Sequence, residues 1–314
     1  MEAPVRDDEI FVYMGGDQRV PNGVRRARIH KSVKIVRARA FQNRQNLISV
    51  EFHDGVEIIE EDSFDNSQSL SGSIKLLGIR IVKDGAFCFC RELTGVQFGD
   101  NLETIEVAAF YHCTLLRRIL IPTVRHIKRM AFAECEQLTE LDLPEGLETI
   151  EYKAFTKCFR LGRISMPLKD DMIEDLVFNE CWCFTRIDLV GGIHETVASL
   201  HLESWRIEMK GEINRINQVL PYTVSKTLSI RLWMRTVIIQ LNHYTAKHHK
   251  MLKEATTLLE LALWKANLGD NEGGALEKEG VRTRRQRKRA RKEIRITTGA
   301  NIVIKNVLPF LELK

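Results

Sequence analysis

The residues with the most chemistry in them are seven cysteines, a histidine pair, an acidic cluster and one dense basic run. Cys88-x-Cys90 and Cys181-x-Cys183 are spaced like short chelating pairs, and such thiolates hold zinc or iron when further ligands converge on them. His248-His249 is the densest histidine pair, but adjacent helical residues point about 100° apart and no third ligand is spaced with them. Asp170-Asp171 and Glu174-Asp175 bunch four carboxylates, a set that could hold a hard cation or simply form a solvated loop face, and the loop face is the expectation. The run Arg282, Arg284, Arg285, Arg287, Lys288, Arg289, Arg291 and Lys292 suits a solvated helix face, an import receptor's acidic groove, or phosphate contact with nucleic acid or an anionic membrane. No aromatic residue interleaves it, which counts against base stacking. The sequence has no Gly-x-Ser-x-Gly, Gly-x4-Gly-Lys-Ser/Thr, Gly-x-Gly-x-x-Gly, His-Glu-x-x-His or Cys-x-x-Cys motif. Neither catalysis nor a cofactor is expected.

The elements that position these residues follow from a period. Ala-Phe or a close variant recurs at Phe41, Phe64, Phe87, Phe110, Phe132, Phe155 and Phe178, with spacings of 23, 23, 23, 22, 23 and 23 residues. Five residues before each stand Val36, Ile59, Val82, Ile105, Ile127, Ile150 and Ile173; six after stand Leu47, Leu70, Leu93, Leu116, Leu138, Leu161 and Phe184. Nine and eleven after come pairs such as Val50 and Phe52, Val96 and Phe98, or Leu141 and Leu143. Cys90, Cys113, Cys135, Cys158 and Cys181 all lie three residues after the repeat Phe, where the first two repeats have Arg44 and Ser67. The phase therefore assigns five cysteines to a column of small, partly buried side chains, an ordinary use of a free thiol. Stacked thiols have parallel Cβ vectors, which disfavours bridging, and an odd total argues against a secreted disulfide framework.

An apolar pair two residues apart turns one face of a short strand inward. One such strand cannot bury its face alone, whereas about seven stacked repeats make a parallel ladder with a continuous core, roughly 30–35 Å long at about 4.8 Å per strand. Pro122, Pro144 and Pro167 follow the strand, where a missing N–H stops pairing, and Gly55 and Gly146 sit in the same turn. The second repeat departs: Ile74 and Leu76 come one residue late, behind Ser73 and Lys75, as a slip or bulge would produce. The exposed strand positions read Glu51, Gln97, Arg118, Glu140, Asp142, Arg163, Arg186 and Asp188, opposite charges that suit cross-strand pairing, with no aromatic to mark a ligand platform.

These columns resemble the BspA-type class of leucine-rich repeats, whose pattern is Leu-x-x-Ile-x-Ile-Pro, then Val-x-x-Ile, then Ala-Phe-x-x-Cys-x-x-Leu. The best copy is LTELDLPEGLETIEYKAFTKCFRL, Leu138 to Leu161, and the resemblance covers residues 24–190. It departs from plant and animal repeats, which carry Asn or Cys where Gly146 stands. The opening, Tyr13-Met14-Gly15-Gly16 to Val20-Pro21 with Val24 and Ile29, resembles that of diatom-type algal members of the class, as do later segments including HLESWRIEMKGEINRINQVLP. The resemblance implies an α/β leucine-rich-repeat solenoid and a binding habit, without a reaction.

After Gly191-Gly192 the period becomes 3.6. Leu202, Trp205, Met209, Ile213, Ile216 and Leu220 form one apolar stripe ended by Pro221; Ile230, Trp233, Val237, Leu241 and Tyr244 begin a helix or broken pair over about 225–267. Gly269 to Gly274 reads as a turn, Leu276 to Arg295 as a basic third helix, and 296–314 as either a short helix cut by Pro309 or a strand. The stripes are expected to pack as a helical hairpin, the first helix closing the open end of the solenoid. Three parts follow: an N-terminal extension (1–23), the solenoid (24–190), and a helical C-terminal cap and hairpin (191–314). Residues 1–190 carry 25 Lys/Arg against 30 Asp/Glu and residues 191–314 carry 22 against 12, so an anionic partner would meet the second part. With no signal peptide, no Asn-x-Ser/Thr acceptor and no apolar run of spanning length, an intracellular chain of cytoplasm or nucleus without membrane insertion is expected. The leading expectation is a non-enzymatic interaction scaffold for a protein partner of unknown identity. The alternative is a nuclear, nucleic-acid-associated protein that uses the run 282–295.

Overall fold

The computed structural model describes residues 10–271. The basic run, the expected third helix and segment 296–314 lie outside the described residues. The chain winds through β1 (Ile10–Tyr13), β2 (Arg26–Ile29), β3 (Ile35–Val36), β4 (Ser49–Glu51), β5 (Ile58–Ile59), β6 (Gly72–Leu76), β7 (Ile81–Val82), β8 (Leu93–Phe98), β9 (Thr104–Ile105), β10 (Arg118–Leu120), β11 (His126–Ile127), β12 (Glu140–Asp142), β13 (Thr149–Ile150), β14 (Arg163–Pro167) and β15 (Arg186–Val190). Helices α1 (Ile193–Ala198), α2 (Glu203–Val219) and α3 (Lys226–Asn271) follow, with a 3-10 turn at Leu220–Tyr222 between the last two. The described residues up to Ala198 and Glu208–Ile239 form one compact unit; Ser199–Ile207 and the described residues from Gln240 onward form a second.

Each coil contributes to two parallel ladders. The expected ladder runs through three sheets, β1-β2-β4, β6-β8-β10 and β12-β14-β15. The departure in the second repeat lies in β6, at the edge of the second sheet: its register against β8 shifts between Gly72 and Ser73, and Ile74 and Leu76 turn into the core while Ser73 and Lys75 turn outward. The second ladder, β3-β5-β7-β9-β11-β13, is built from two-residue strands ending at the Val/Ile column, and an Ile150–Ile173 bridge carries it into the seventh coil. That column is β-branched throughout, the type that fits a pleated, half-buried surface.

The repeat phenylalanines are buried and stack face to face, from 4.8 Å between the Phe41 and Phe64 centroids to 6.0 Å between Phe155 and Phe178. Tyr13 tilts onto Phe41 at 5.2 Å and Phe184 onto Phe178 at 4.9 Å, so rings close both ends of the column. Two residues before and two after each Phe, the backbone is left-handed in every coil: for example Asp62 (φ 52°) and Asn66 (φ 56°), or Met130 (φ 56°) and Glu134 (φ 61°). Gly85 is the one glycine of the set, and a Cβ there would run into the Asp62 carboxylate. Elsewhere a left-handed residue carries a steric cost of roughly 1–2 kcal/mol. What offsets it is hydrogen bonding: the turned amides, and that of the Phe between them, donate to carbonyls of the next coil, as Asp62 to Asp84 (2.9 Å), Phe64 to Ala86 (2.7 Å) and Asn66 to Cys88 (2.8 Å).

The cysteine column completes this arrangement. Cys90 Sγ donates to Phe64 O (3.2 Å), and Cys113, Cys135, Cys158 and Cys181 do the same to Phe87, Phe110, Phe132 and Phe155. Ser67 Oγ serves Phe41 at 2.7 Å, and Arg44 Nε reaches Val20 O at 2.7 Å. The position needs a small donor that reaches one carbonyl, and thiol or hydroxyl meets that need. All seven cysteines are unbridged. Burial pushes the thiols of Cys90, Cys113, Cys135 and Cys158 far above the usual range, and Cys88, half-buried beside Asp65 and Asp62, is pushed up to about 12.

At the far end of the stack, helices supply what an eighth coil would. The Asn217 side-chain amide accepts from Ile187 N (2.8 Å) and donates to Ile187 O (3.1 Å), imitating the next strand beside β15. Thr227 Oγ1 accepts the Phe178 N–H at 2.9 Å, in place of the next coil's carbonyl. Buried Lys226 donates to Phe184 O and Leu220 O at 2.7 and 2.9 Å. Met209, Ile213, Ile216 and Leu220 are buried on one helical stripe and Ile230, Trp233, Met234 and Val237 on the other, with Trp233 Nε1 donating to Glu212 O. In the second unit, Trp205 stacks on Tyr244 with centroids 5.1 Å apart. The expected turn at Gly269–Gly274 needs correction at its start, since α3 is a single helix continuing to Asn271.

Two measurements check this core. Phe132→Ala removes a ring stacked between Phe110 and Phe155 and should cost about 3–5 kcal/mol in denaturant unfolding; an unchanged midpoint would contradict the register. In a thiol titration of the folded protein, exposed Cys183 should react first, Cys88 slowly, and the five column thiols only on unfolding. Rapid reaction of more than two thiols in native protein would show that the column is open.

Candidate interaction surface

The acidic cluster terminates a pattern of charge. Seven residues before each Phe stand Lys34, Glu57, Arg80, Glu103, Arg125 and Glu148, basic and acidic by turns; four before stand Arg37, Glu60, Lys83, Glu106, Lys128 and Glu151. Successive coils are bridged accordingly, Lys34 to Glu57 at 2.9 Å, Arg125 to Glu148 at 3.3 Å and Lys128 to Glu151 at 2.8 Å. The alternation fails in the seventh coil, where Asp171 and Glu174 follow two acids. There α3 supplies the missing cations. Arg235 pairs with Asp171 (3.2 Å) and Asp170 (3.8 Å), Arg231 pairs with Asp175, and Glu174 accepts the Tyr152 N–H at 2.8 Å. The loop is solvated, as expected, but its acids are engaged, and the clefts beside them, of about 140 and 320 Å³, are lined by these same bridges. Each exposed pair contributes little by itself.

The other chemistry-bearing residues do not assemble a centre. His201 comes beside His248, a partner that spacing alone does not reveal, and its N–H donates to His248 Nδ1 at 3.2 Å. Burial, then the neighbouring histidines, hold the His248 ring below its usual pKa. Among the described residues no three His, Cys, Asp or Glu side chains are placed to hold a metal ion. His112 Nδ1 and Lys157 Nζ both meet the Glu134 carboxylate, at 2.8 and 2.9 Å. Burial would raise the pKa of Glu134, but these bonds outweigh it and hold the group low.

The outer face of the first ladder presents two rows of side chains. One row of outward positions runs Ile10, Arg26, Ser49, Ser73, Gly95, Arg118, Glu140, Arg163 and Arg186. The second runs Val12, Arg28, Glu51, Lys75, Gln97, Leu120, Asp142, Ser165 and Asp188. Glu51 pairs with Arg28, while Arg163 lies among Asp188 (2.6 Å), Asp142 (3.0 Å) and Glu140 (3.8 Å), and Arg186 adds a bond to Asp188 at 3.0 Å. Burial would raise Asp188, but the two arginines overcome it and keep the carboxyl below its usual range. Every acid of the face is therefore paired. Arg26, Lys75 and Arg118 are exposed and make no ion pair among the described residues. Between them Gly95 is buried, with Ser73 Oγ only 2.9 Å from where a Cβ would stand, and Leu120 is 57% exposed. The period alone does not assign Lys75 or Leu120 to this face, because a bulge turns the first outward and the second hides in the apolar run Ile119-Leu120-Ile121.

Comparison with known proteins agrees with this architecture. A family model for the BspA type leucine rich repeat region matches residues 23–123 and 115–217, with six copies. Among solved structures the chain is similar to a leucine rich cell surface protein from Faecalibacterium prausnitzii A2-165, with 20% identity over 54% of this chain and 62% of that one and a TM-score of 0.37. It is similar also to a leucine-rich repeat protein from Bacteroides ovatus (18% identity, 54% and 60% coverage, TM-score 0.36) and to the T. pallidum leucine rich repeat protein (20%, 51% and 68%, 0.35). The chain thus spans about three-fifths of the first two. No curated protein matches it. Because the family model takes in all seven coils and most of α2 besides, the chain belongs to the BspA-type leucine-rich repeat family.

Proposed function

We propose that this chain is a non-enzymatic protein-binding scaffold that engages its partner on the outer face of the first ladder. One observation carries the reading: a two-row array of side chains, about 4.8 Å from strand to strand, most of them exposed within their own unit while the inner face is buried. Membership of a repeat family commonly found in interaction or surface proteins supports it. In this reading the seven unbridged thiols suit a chain that works inside the cell, in cytoplasm or nucleus. No helix of the described residues is long and apolar enough to cross a membrane.

A second reading, a nuclear nucleic-acid-associated protein, draws on the nine basic residues between Arg282 and Arg295. Two sets of variants separate the readings. In capture experiments with the full chain, Leu120→Asp should lose the partner and Arg129→Gln, half a coil away, should keep it. Capture indifferent to Leu120→Asp would remove the binding role of this face. Replacing Arg284, Arg285, Arg287, Lys288 and Arg289 with Gln should leave partner capture intact; if retention on nucleic acid falls instead, with the salt slope reduced by about 0.9 per lost phosphate contact, the second reading gains.

A further inference from the structure

We propose that the strand face takes an acidic, extended polypeptide segment, with carboxylates directed to Lys75 and Arg118 and an apolar side chain seated on Leu120. The proposal rests on the reading of this face as the binding surface and names the chemistry of its partner. Residues 1–190 are net acidic, 25 basic against 30 acidic, yet the two outward rows carry six basic side chains against four acidic ones. Those four acids are already satisfied within the face, so the charges left to a partner are all positive. Binding a carboxylate there breaks no existing pair, whereas a cationic segment would have to displace Arg163 from its three acids.

Geometry restricts the partner further. Lys75 and Leu120 lie in one row on either side of Gln97, two strands apart, about 10 Å at 4.8 Å per strand. A segment in the extended polyproline II conformation rises about 3.1 Å per residue and turns once in three, so laid across the strands it meets them with an acid and an apolar residue three positions apart. Ser73 and Gly95 put no large side chain between Lys75 and Arg118, and Arg118 in the other row covers a second carboxylate. At the margin before the strands Arg117, also exposed, adjoins Arg118 and adds a further positive charge. A nucleic acid would find no outward aromatic on either row for its bases, and Leu120 offers nothing to a phosphate.

The test uses the full chain, fluorescein-labelled 16-residue peptides of repeated Glu-Glu-Leu-Leu or Lys-Lys-Leu-Leu, and a labelled oligo-dT of similar length, followed by anisotropy. The Glu-Glu-Leu-Leu peptide should bind, the Lys-Lys-Leu-Leu peptide should not, and Lys75→Glu/Arg118→Glu should weaken binding at least tenfold. Both substituted side chains are exposed and make no ion pair among the described residues, so the double variant should keep the wild-type circular dichroism and melting curve. Unchanged affinity in that variant would place the acidic peptide elsewhere and overturn the proposal, as would no binding of the peptide at all. Oligo-dT binding that is equally tight and lost in the same variant would make the face a polyanion site and overturn it too. If the peptide result fails while Leu120→Asp still abolishes partner capture, the face remains the binding surface and only the partner's chemistry is wrong.

Discussion

No coil of this solenoid can complete its own hydrogen bonds. The amide of each repeat Phe points along the stack, flanked by two left-handed residues whose amides point the same way, and all three find acceptors only on the next coil. The carbonyl of the Phe points in that direction as well and is met by the thiol or hydroxyl that the next coil sets three residues beyond its own Phe. Burial of the ring and satisfaction of the backbone thus require the same neighbour, which is why the period tolerates only one slip, from 23 to 22 residues, in seven coils.

The same dependence makes the last coil a special case. It has no successor, and a helical pair takes the successor's place group by group: Asn217 for the strand, Thr227 for the carbonyl opposite Phe178, Arg231 and Arg235 for the basic coil that the charge alternation calls for. A solenoid end left bare would expose unpaired amides and an apolar ring. Here the helices satisfy the polar groups individually as well as covering the apolar ones. At the other end Tyr13 does part of the same work with its ring on Phe41 and its hydroxyl accepting from Arg37 N.

How much of this the sequence carried depends on whether a feature repeats. The Phe column recurs in every coil, the Leu column in six of the seven and the Cys column in five, so their phase is readable without coordinates. The second ladder was within reach through its unbroken β-branched column, but two residues per strand are too few for alternation to register. The left-handed pair beside each Phe leaves only a negative trace: its occupants range from Asn and Gly to Phe, Met and Lys, and the shared property is the lack of a branch at Cβ. The caps were the hardest to see. Asn217 and Thr227 occur once, on helices, and nothing in a single polar residue announces that it will meet an open strand edge or a Phe amide. The strand face falls between: its paired charges were legible as alternation, whereas its uncompensated ones depend on a bulge and on which bridges form.

A face built on such a stack is rigid because its strands share the satisfied backbone of the coils behind them, and it ends where the helices end it. The central claim is that each element completes the backbone of the coil before it. Native-state hydrogen exchange of the Phe178 amide, compared between the wild type and Thr227→Val, tests this most directly. The substitution keeps the shape of the side chain and removes the acceptor that amide has among the described residues. The account predicts loss of Phe178 protection by about 1–3 kcal/mol, with the Phe64 and Phe87 amides unchanged. Protection at Phe178 equal to that of the wild type would contradict it, because the last coil would then be complete without its helical successor.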